Sequence, residues 1–194
     1  STLLKESALK VFIKNMVSQR CKLAVKAEFE KLGLQCVCIK LGEVEVSAHL
    51  TPVQLSQLKS ALHEIGLELI DDTRLILVEK IKNAVVEMVH YTDEQPNVNF
   101  SDYLCSVINR DYTYLANVFS ETTGNTIEHF LIAHKIERVK EFLVYDELNV
   151  TEISYKLNYS SVAHLSNQFK KETGLTPTEY KNLQNKTRIA LENV

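Results

Sequence analysis

Two stretches of the chain carry the same polar residues at the same spacing. YLANVFSETTGNTIEHFL (114–131) aligns with HLSNQFKKETGLTPTEYK (164–181), 50 residues further along the chain. In both, Leu-x-Asn-x-Phe lies four residues before Thr-Gly, and an aromatic residue follows six residues after the glycine. Apolar residues recur at helical spacing, stop at the glycine and then resume, which predicts one helix ending and another beginning. The outer face of the first helix holds amides and hydroxyls, whose chemistry is to donate and accept hydrogen bonds.

The elements around these stretches indicate what such a face could contact. An amphipathic segment precedes each stretch, FSDYLCSVIN (100–109) and VTEISYKLN (150–158), and a strongly helical segment, 132–145, joins the two halves. The chain therefore contains the same helix-turn-helix twice. In such a motif the second helix enters the major groove of DNA, so we expect the outer face of each second helix to read base edges.

The second helix-turn-helix carries a signature of several residue groups at fixed spacing. They are Ile153-Ser154, Asn158-Tyr159, Phe169-Lys170, Gly174-Leu175-Thr176-Pro177 and Tyr180-Lys181. By these residues, 100–184 resembles the DNA-binding domain of the AraC/XylS family of bacterial transcription regulators. Three departures from the family pattern are conservative: Asn158 replaces a usual Gly, Ser154 replaces Ala, and Lys135 replaces a common Arg. Asparagine tolerates the left-handed backbone that a glycine would adopt at such a turn.

The resemblance implies which residues contact DNA. Asn117 and Asn167 hold equivalent base-facing positions, and an asparagine amide can form a bidentate pair with adenine, while an alanine methyl can contact that of thymine. Hydroxyls and ammonium groups at the ends of the second recognition helix would bind phosphates. The implied base-facing residues are Thr113, Ala116, Asn117, Ala163, Ser166 and Asn167, with Tyr112 and Tyr114 beside them; the implied phosphate contacts are Ser160, Ser161, Lys170, Lys171 and Arg138.

The charge balance is unusual for such a role. The chain has a net charge of −3, and residues 100–194 hold 10 Lys and Arg against 12 Asp and Glu, a balance of −2. Phosphate contacts normally dominate affinity for DNA. We therefore expect the carboxylates to lie away from the two recognition helices.

Residues 9–72 alternate between strand-like and helix-like periods. The order is βαββαβ, which predicts a split βαβ or ferredoxin-like sandwich. The predicted elements are a strand (9–16), a helix (21–34), a hairpin (36–50) that turns at Gly42-Glu43, a helix (51–66) with Thr51 as N-cap and Pro52 at its first position, and a strand (67–71).

The same periodicity predicts the buried side chains of this half. A half-buried strand exposes alternate residues, and an amphipathic helix buries one stripe. The residues expected inside are Leu9, Val11 and Ile13; Leu23, Ala24, Ala27 and Leu32; Val37, Ile39 and Leu41; Val44, Val46 and Ala48; and Leu55, Leu58, Leu62 and Ile65.

This half also resembles a heavy-metal-associated domain, whose first loop carries Gly-Met-x-Cys-x-x-Cys. Here Met16 and Cys21 match, Asn15 stands for the glycine, and Ser18 stands for the first cysteine. Soft ions such as Cu(I) prefer two thiolates, and a hydroxyl is a poor substitute. We expect no metal and no other cofactor, with Cys21 as the candidate ligand if a metal binds.

Composition excludes several protein classes. The chain has 194 residues, 45% of them hydrophobic, and no apolar run that approaches a membrane span of about 20 residues. Four uneven cysteines predict a reducing cytosol and no disulfide framework. No phosphate loop, nucleophile elbow or HExxH set appears, so we expect no enzyme.

We therefore expect an α+β βαββαβ ferredoxin-like domain (9–72), a connecting helix (73–91), a linker (92–99) and an all-α double helix-turn-helix domain (100–184). The expected function is sequence-specific transcription regulation in a bacterial cytoplasm. The partners would be double-stranded DNA and RNA polymerase or another transcription component, with no membrane, and the small first domain would sense a signal or contact a partner. The alternative is a metal-handling or protein-docking module in which the helical half serves protein contacts.

Overall fold

The computed structural model describes residues 8–47, 49–92 and 99–192. The chain forms two compact units, and the boundary between them falls between Asn83 and Ala84. We refer to the part before this boundary as the sheet unit and to the part after it as the helical unit. A small sheet region followed by an all-helical region agrees with the predicted fold class.

The sheet unit has the predicted order of elements. Its four strands form one sheet in the order β2-β3-β1-β4, and each neighbouring pair is antiparallel. Two helices lie between strands in sequence, and a third begins after β4. The elements are β1 (Leu9–Lys14), α1 (Gln19–Lys31), β2 (Cys36–Lys40), β3 (Glu43–Val46), α2 (Pro52–Glu64), β4 (Glu68–Ile70) and α3 (Thr73–Val86).

The sheet core confirms the face predicted for β1. Val11 and Ile13 are buried, and Leu9 packs against the same cluster. Val44 and Val46 of β3 are buried as predicted, whereas Ala48 lies outside the described residues.

Helix α2 begins as predicted and buries part of its predicted stripe. Thr51 and Gln54 form a capping box, with Pro52 in the first turn. Leu58 and Leu62 are buried, but Leu55 and Ile65, predicted inside, are exposed.

The stripe predicted for α1 is wrong. Leu23 is 70% exposed and Ala27 is exposed, while Val25 and Phe29 are fully buried. Residues four positions apart lie on one helix face, so the larger Val25–Phe29 pair takes the core position. Leu32 packs against this core from the end of the helix.

The face predicted for β2 is also wrong at one position. The register between β2 and β3 shifts between Cys36 and Cys38. An irregularity of this kind breaks the strict alternation of side chains. As a result Val37 is 63% exposed, while Cys36 and Ile39 both pack against the core.

The helical unit contains six helices in its described part from Phe100 onward. Its buried residues include the stripe predicted for the joining helix, Ile136, Val139 and Leu143. That helix begins at Ile127 rather than at residue 132, because the Thr126 side chain caps it there. The helices are α4 (Phe100–Ile108), α5 (Tyr112–Thr123), α6 (Ile127–Tyr145), α7 (Val150–Lys156), α8 (Val162–Thr173) and α9 (Pro177–Glu192).

The predicted connecting helix contains a break in its hydrogen-bond pattern. Helix α3 runs over Thr73–Val86 and then continues as a π-helical turn over Glu87–Tyr91. Of the predicted linker, residues 93–98 lie outside the described residues. Within the described ranges, no helix is both long enough and apolar enough to cross a membrane.

Candidate nucleic-acid interface

Helices α5 and α8 are the same motif built twice. Each has 12 residues, begins after a capping residue (Asp111 or Ser161) and ends at a glycine in the left-handed conformation, with φ of 74° at Gly124 and 81° at Gly174. The hydroxyls of the last residues, Thr123 and Thr173, each donate to a carbonyl four residues earlier, at 2.7 Å.

The turn before each of these helices also uses a left-handed asparagine. Asn109, at the end of α4, has φ 56°, and Asn158, after α7, has φ 57°. The left-handed turn predicted at Asn158 is confirmed. The turn directs the chain from one helix into the next, so it fixes which face of the second helix points outward.

The inward face of α8 is held by close packing. Leu165 and Phe169 are fully buried, and the Phe169 ring meets the Tyr180 ring edge-on with centroids 5.5 Å apart. Ser154 of α7 is only 3% exposed, and its hydroxyl donates to the Thr151 carbonyl at 2.7 Å. A small residue fits this contact without leaving a polar atom unpaired.

The outward face of α5 presents most of the residues predicted to meet bases. Thr113 and Asn117 are exposed, Tyr114 is 49% exposed, and Ala116 is half-buried. Within the described residues the Asn117 amide makes no hydrogen bond, so it is available to a ligand.

Tyr112, at the start of α5, is engaged within the protein. Its hydroxyl donates to the Glu128 carboxylate of α6 at 2.5 Å. Burial raises the pKa of the Tyr112 phenol above its ordinary value, and the hydrogen bond to Glu128 raises that pKa further. The phenol stays protonated, and a DNA contact by Tyr112 would have to share its hydroxyl with Glu128.

The outward face of α8 mirrors that of α5. Ala163 and Asn167 are exposed and Ser166 is half-buried. The Asn167 amide, like its counterpart in α5, has no partner among the described residues. The Ser161 hydroxyl accepts from the His164 backbone N–H at 3.0 Å, so its own hydrogen remains available for a phosphate oxygen.

The predicted phosphate contacts differ in how available their charge is. Lys170 and Lys171 are exposed, and neither makes an ion pair in the part of the chain that is described. Arg138 is only 25% exposed; its guanidinium donates to Glu141 at 2.7 Å and lies 4.3 Å from the Phe142 ring centroid. The geometry therefore groups the lysines with the outward face of α8 and gives Arg138 an internal role.

The expectation that carboxylates avoid the recognition helices is wrong for the first unit. Asp111 caps α5, Glu121 is the only charged residue within it, and Glu128 contacts its first residue. Helix α8 instead carries Lys170 and Lys171 beside Glu172. The second unit thus has the more favourable charge for a polyanion.

A half-buried lysine lies close to the residues that support α8. The Lys135 ammonium of α6 is 4.9 Å from the Tyr159 ring centroid, and burial lowers its pKa below the ordinary value. The Tyr159 hydroxyl donates to Gln168 of α8 at 2.7 Å. Sequence reasoning missed this set and also His164, since their contacts join residues that no periodic pattern relates.

Cys21, in the first turn of α1 in the sheet unit, is a separate candidate site. Ser18 caps α1 and its hydroxyl donates to the Cys21 sulfur at 3.3 Å. Partial burial raises the pKa of the thiol, but the hydrogen bonds from Ser18 and the helix backbone outweigh it, so the net pKa lies below the ordinary value. All four cysteines are free, and no cluster of three or more His, Cys, Asp or Glu able to hold a metal exists among the described residues.

Comparison with known proteins finds a family match within the helical unit. Residues 104–183 match the family model described as a helix-turn-helix domain, and curated relatives that match about half of the chain are named as regulators of transcription. Residues 104–183 are a helix-turn-helix domain.

The curated relatives extend well beyond the segment that they share with this chain. The xylose operon regulatory protein of Escherichia coli (strain K12) is 26% identical over 107 residues, which is 55% of this chain and 27% of that protein. The HTH-type transcriptional regulator SAS0078 of Staphylococcus aureus is 28% identical over 108 residues, 55% of this chain and 14% of that protein. The chain thus spans about a quarter or less of the length of these relatives.

Solved structures also align with part of this chain. The DNA-binding domain of AdpA, in complex with a target DNA, is 20% identical and covers 58% of this chain and 95% of that chain, with a TM-score of 0.47. The C-terminal domain of the response regulator yesN from Fusobacterium nucleatum is 27% identical to this chain. The alignment covers 53% of this chain and 95% of that chain, with a TM-score of 0.45.

Proposed function

We propose that this chain is a sequence-specific transcription regulator whose two helix-turn-helix units read adjacent major-groove segments of double-stranded DNA. The observation that carries the proposal is the equivalent placement of Asn117 and Asn167. Each is exposed on the outward face of a helix whose inward face is locked by packing, and each has no partner among the described residues. An amide presented in this way suits bidentate pairing with adenine.

Two further residue sets support a groove-binding role for α8. The half-buried Ser166 and exposed Ala163 flank Asn167 on the same face, and Lys170 and Lys171 follow at the end of the helix. Small residues allow a helix to approach base edges closely, and ammonium groups beyond them can reach phosphates.

The sheet unit is proposed to sense a signal or to contact RNA polymerase or another transcription component. We assign it to the ferredoxin-like class, and the strand order β2-β3-β1-β4 within a βαββαβ chain supports this assignment. A metal function at Cys21 has weaker support, because the Ser18 hydroxyl occupies the place of a second thiolate.

Replacing the two asparagines tests the proposal. The variant Asn117→Ala with Asn167→Ala should lose affinity for a selected DNA site by roughly 30-fold or more, since each bidentate pair removed costs about 1–3 kcal/mol. Its thermal midpoint should remain that of the parent protein, because both side chains are exposed. Dissociation constants at fixed salt, measured by fluorescence anisotropy, give the comparison.

The control variant carries Asn182→Ala and Asn185→Ala on α9, outside both helix-turn-helix units. It should bind the selected site as the parent protein does. Equal affinity for the parent and the Asn117/Asn167 variant would remove the proposed base contacts.

A further inference from the structure

His164 is an exposed side chain that is nevertheless held in one orientation. Its Nδ1 lies 3.0 Å from the Ser160 hydroxyl oxygen. Its ring meets the Tyr159 ring edge-on, with centroids 5.2 Å apart and an interplanar angle of 82°. A hydrogen bond and a ring contact together restrict the rotation of this imidazole.

The group that holds His164 is itself fixed. Tyr159 is buried, its hydroxyl donates to Gln168, and the Lys135 ammonium lies over its ring. Ordering an exposed side chain costs conformational entropy. For His164 this cost is offset in the folded protein by its contact with the buried Tyr159 ring. The imidazole is therefore preorganised on α8 before any ligand arrives.

The contact with Ser160 determines what the other ring nitrogen offers. When the Ser160 hydroxyl donates to Nδ1, the neutral imidazole carries its hydrogen on Nε2 and is a donor there. In this arrangement the Ser160 hydrogen is not available for the phosphate contact that the resemblance implied for this residue. Nε2 has no partner among the described residues. His164 lies next to Ala163 in sequence and three residues before Asn167, on the first turn of α8.

We propose that His164 is a DNA-contacting residue whose Nε2–H donates to an acceptor atom of the duplex, with Ser160 and Tyr159 as positioning residues. The acceptor is a phosphate oxygen or the O6 or N7 of guanine, both of which accept hydrogen bonds from side chains. This inference rests on the proposed function. The His164 contact would act on the sequence preference or the affinity of the second unit alone. The first unit has no equivalent histidine, because Tyr114 stands at the matching position.

Three substitutions of the full chain test the donor at Nε2. Glutamine places an amide N–H near the position of Nε2, asparagine places one near Nδ1, and alanine places none. His164→Ala and His164→Asn should each weaken binding to a selected duplex by roughly three- to tenfold, the range of one hydrogen bond, and His164→Gln should restore affinity to within about twofold of the parent.

His129 provides a matched control. It occupies the same place in α6 that His164 occupies in α8, three residues after a capping hydroxyl that accepts from its backbone N–H. Helix α6 is not a recognition helix, so His129→Ala should bind DNA as the parent does. Unchanged thermal midpoints would show that all variants are folded.

Scrambled duplexes and salt titrations separate the two acceptors. A phosphate contact predicts equal losses of affinity on selected and scrambled DNA, whereas a guanine contact predicts a loss confined to sites with guanine at one position. Parental affinity in His164→Ala, or a glutamine variant as weak as the alanine variant, would overturn the inference. Failure of the parent protein to select any DNA would instead overturn the proposed function.

Discussion

At the scale of single residues, backbone conformation explains several polar side chains in the turns. Asn15, Asn109, Asp146 and Asn158 all have positive φ. Only glycine adopts this region without steric cost, and asparagine and aspartate tolerate it better than other residues. Asn158 could be recognised from the sequence because the resembling pattern places glycine there.

Substitution of Asn158 tests this account. Asn158→Ala should lower the free energy of unfolding by about 1 kcal/mol, because a Cβ with no local hydrogen-bonding group is strained at φ 57°. Asn158→Gly should be within about 0.5 kcal/mol of the parent, since glycine removes the strain but adds freedom to the unfolded chain. Urea unfolding gives both values, and equal losses of stability for alanine and glycine would contradict the role of φ.

The sequence predicted the outward residues of the recognition helices but not which of them are engaged. Asn117 and Asn167 were assigned by the resemblance to the AraC/XylS family, and helical spacing is consistent with that assignment, since a helix shows only a few positions to a groove. The bond from Tyr112 to Glu128 joins residues 16 apart on different helices. Such contacts depend on packing, which periodicity does not encode.

At the scale of elements, chain order and capping were predictable and exact faces were not. Helix ends depend on residues close in sequence. Thr51 caps the start of α2 beside Pro52, and a left-handed glycine ends α5. The face of α1 was decided by which side chains fill the core, and that of β2 by a register shift at Cys36. Both depend on partners distant in sequence.

The π-helical turn is tied to α6 by two histidines. His90 Nε2 and His134 Nδ1 lie 3.0 Å apart and share one hydrogen bond, and the His134 ring packs on Phe130 with centroids 4.5 Å apart. Burial lowers the pKa of both imidazoles below the ordinary value. For His134 the charge of His90 lowers the pKa further, so the folded protein favours the neutral pair.

This pair predicts an acid-sensitive helical unit. Because the folded pKa values are depressed, the stabilisation is fully present above about pH 6.5, the ordinary histidine pKa, and is lost as the pH falls toward the folded values. As the pH is lowered from about 7.5 to about 5, the free energy of unfolding should decrease more steeply for the parent than for the variant His90→Gln with His134→Gln. The matched control His129→Gln, at an exposed histidine, should keep the parental slope. Identical slopes for the parent and the His90/His134 variant would contradict the prediction.

At the scale of the whole molecule, charge and repeat organisation decide how the protein could bind a polyanion. The chain is acidic overall, and its recognition helices differ: α5 has carboxylates at its start, whereas α8 carries two lysines in its last turn. Affinity should therefore depend more on base contacts and less on salt than is usual for DNA-binding proteins.

Removing the two lysines should reduce the salt dependence further. Lys170→Gln with Lys171→Gln is expected to lower the slope of log K against log salt concentration by about 2, since each phosphate that is no longer neutralised contributes about 0.9. Lys26→Gln with Lys31→Gln, on an exposed face of α1, should leave the slope unchanged. Binding by fluorescence anisotropy across a salt series measures both, and an unaltered slope in the first variant would exclude the two phosphate contacts.

The most direct test of the central claim is selection of binding sites from genomic DNA by the purified full chain at fixed salt. Two helix-turn-helix units that both read DNA predict a motif with two conserved blocks about one helical turn apart, since adjacent major-groove segments on one face have that spacing. Alteration of Asn117 should relax one block and alteration of Asn167 the other. A motif with a single block would show that only one unit reads sequence, and no enrichment above background would contradict the account.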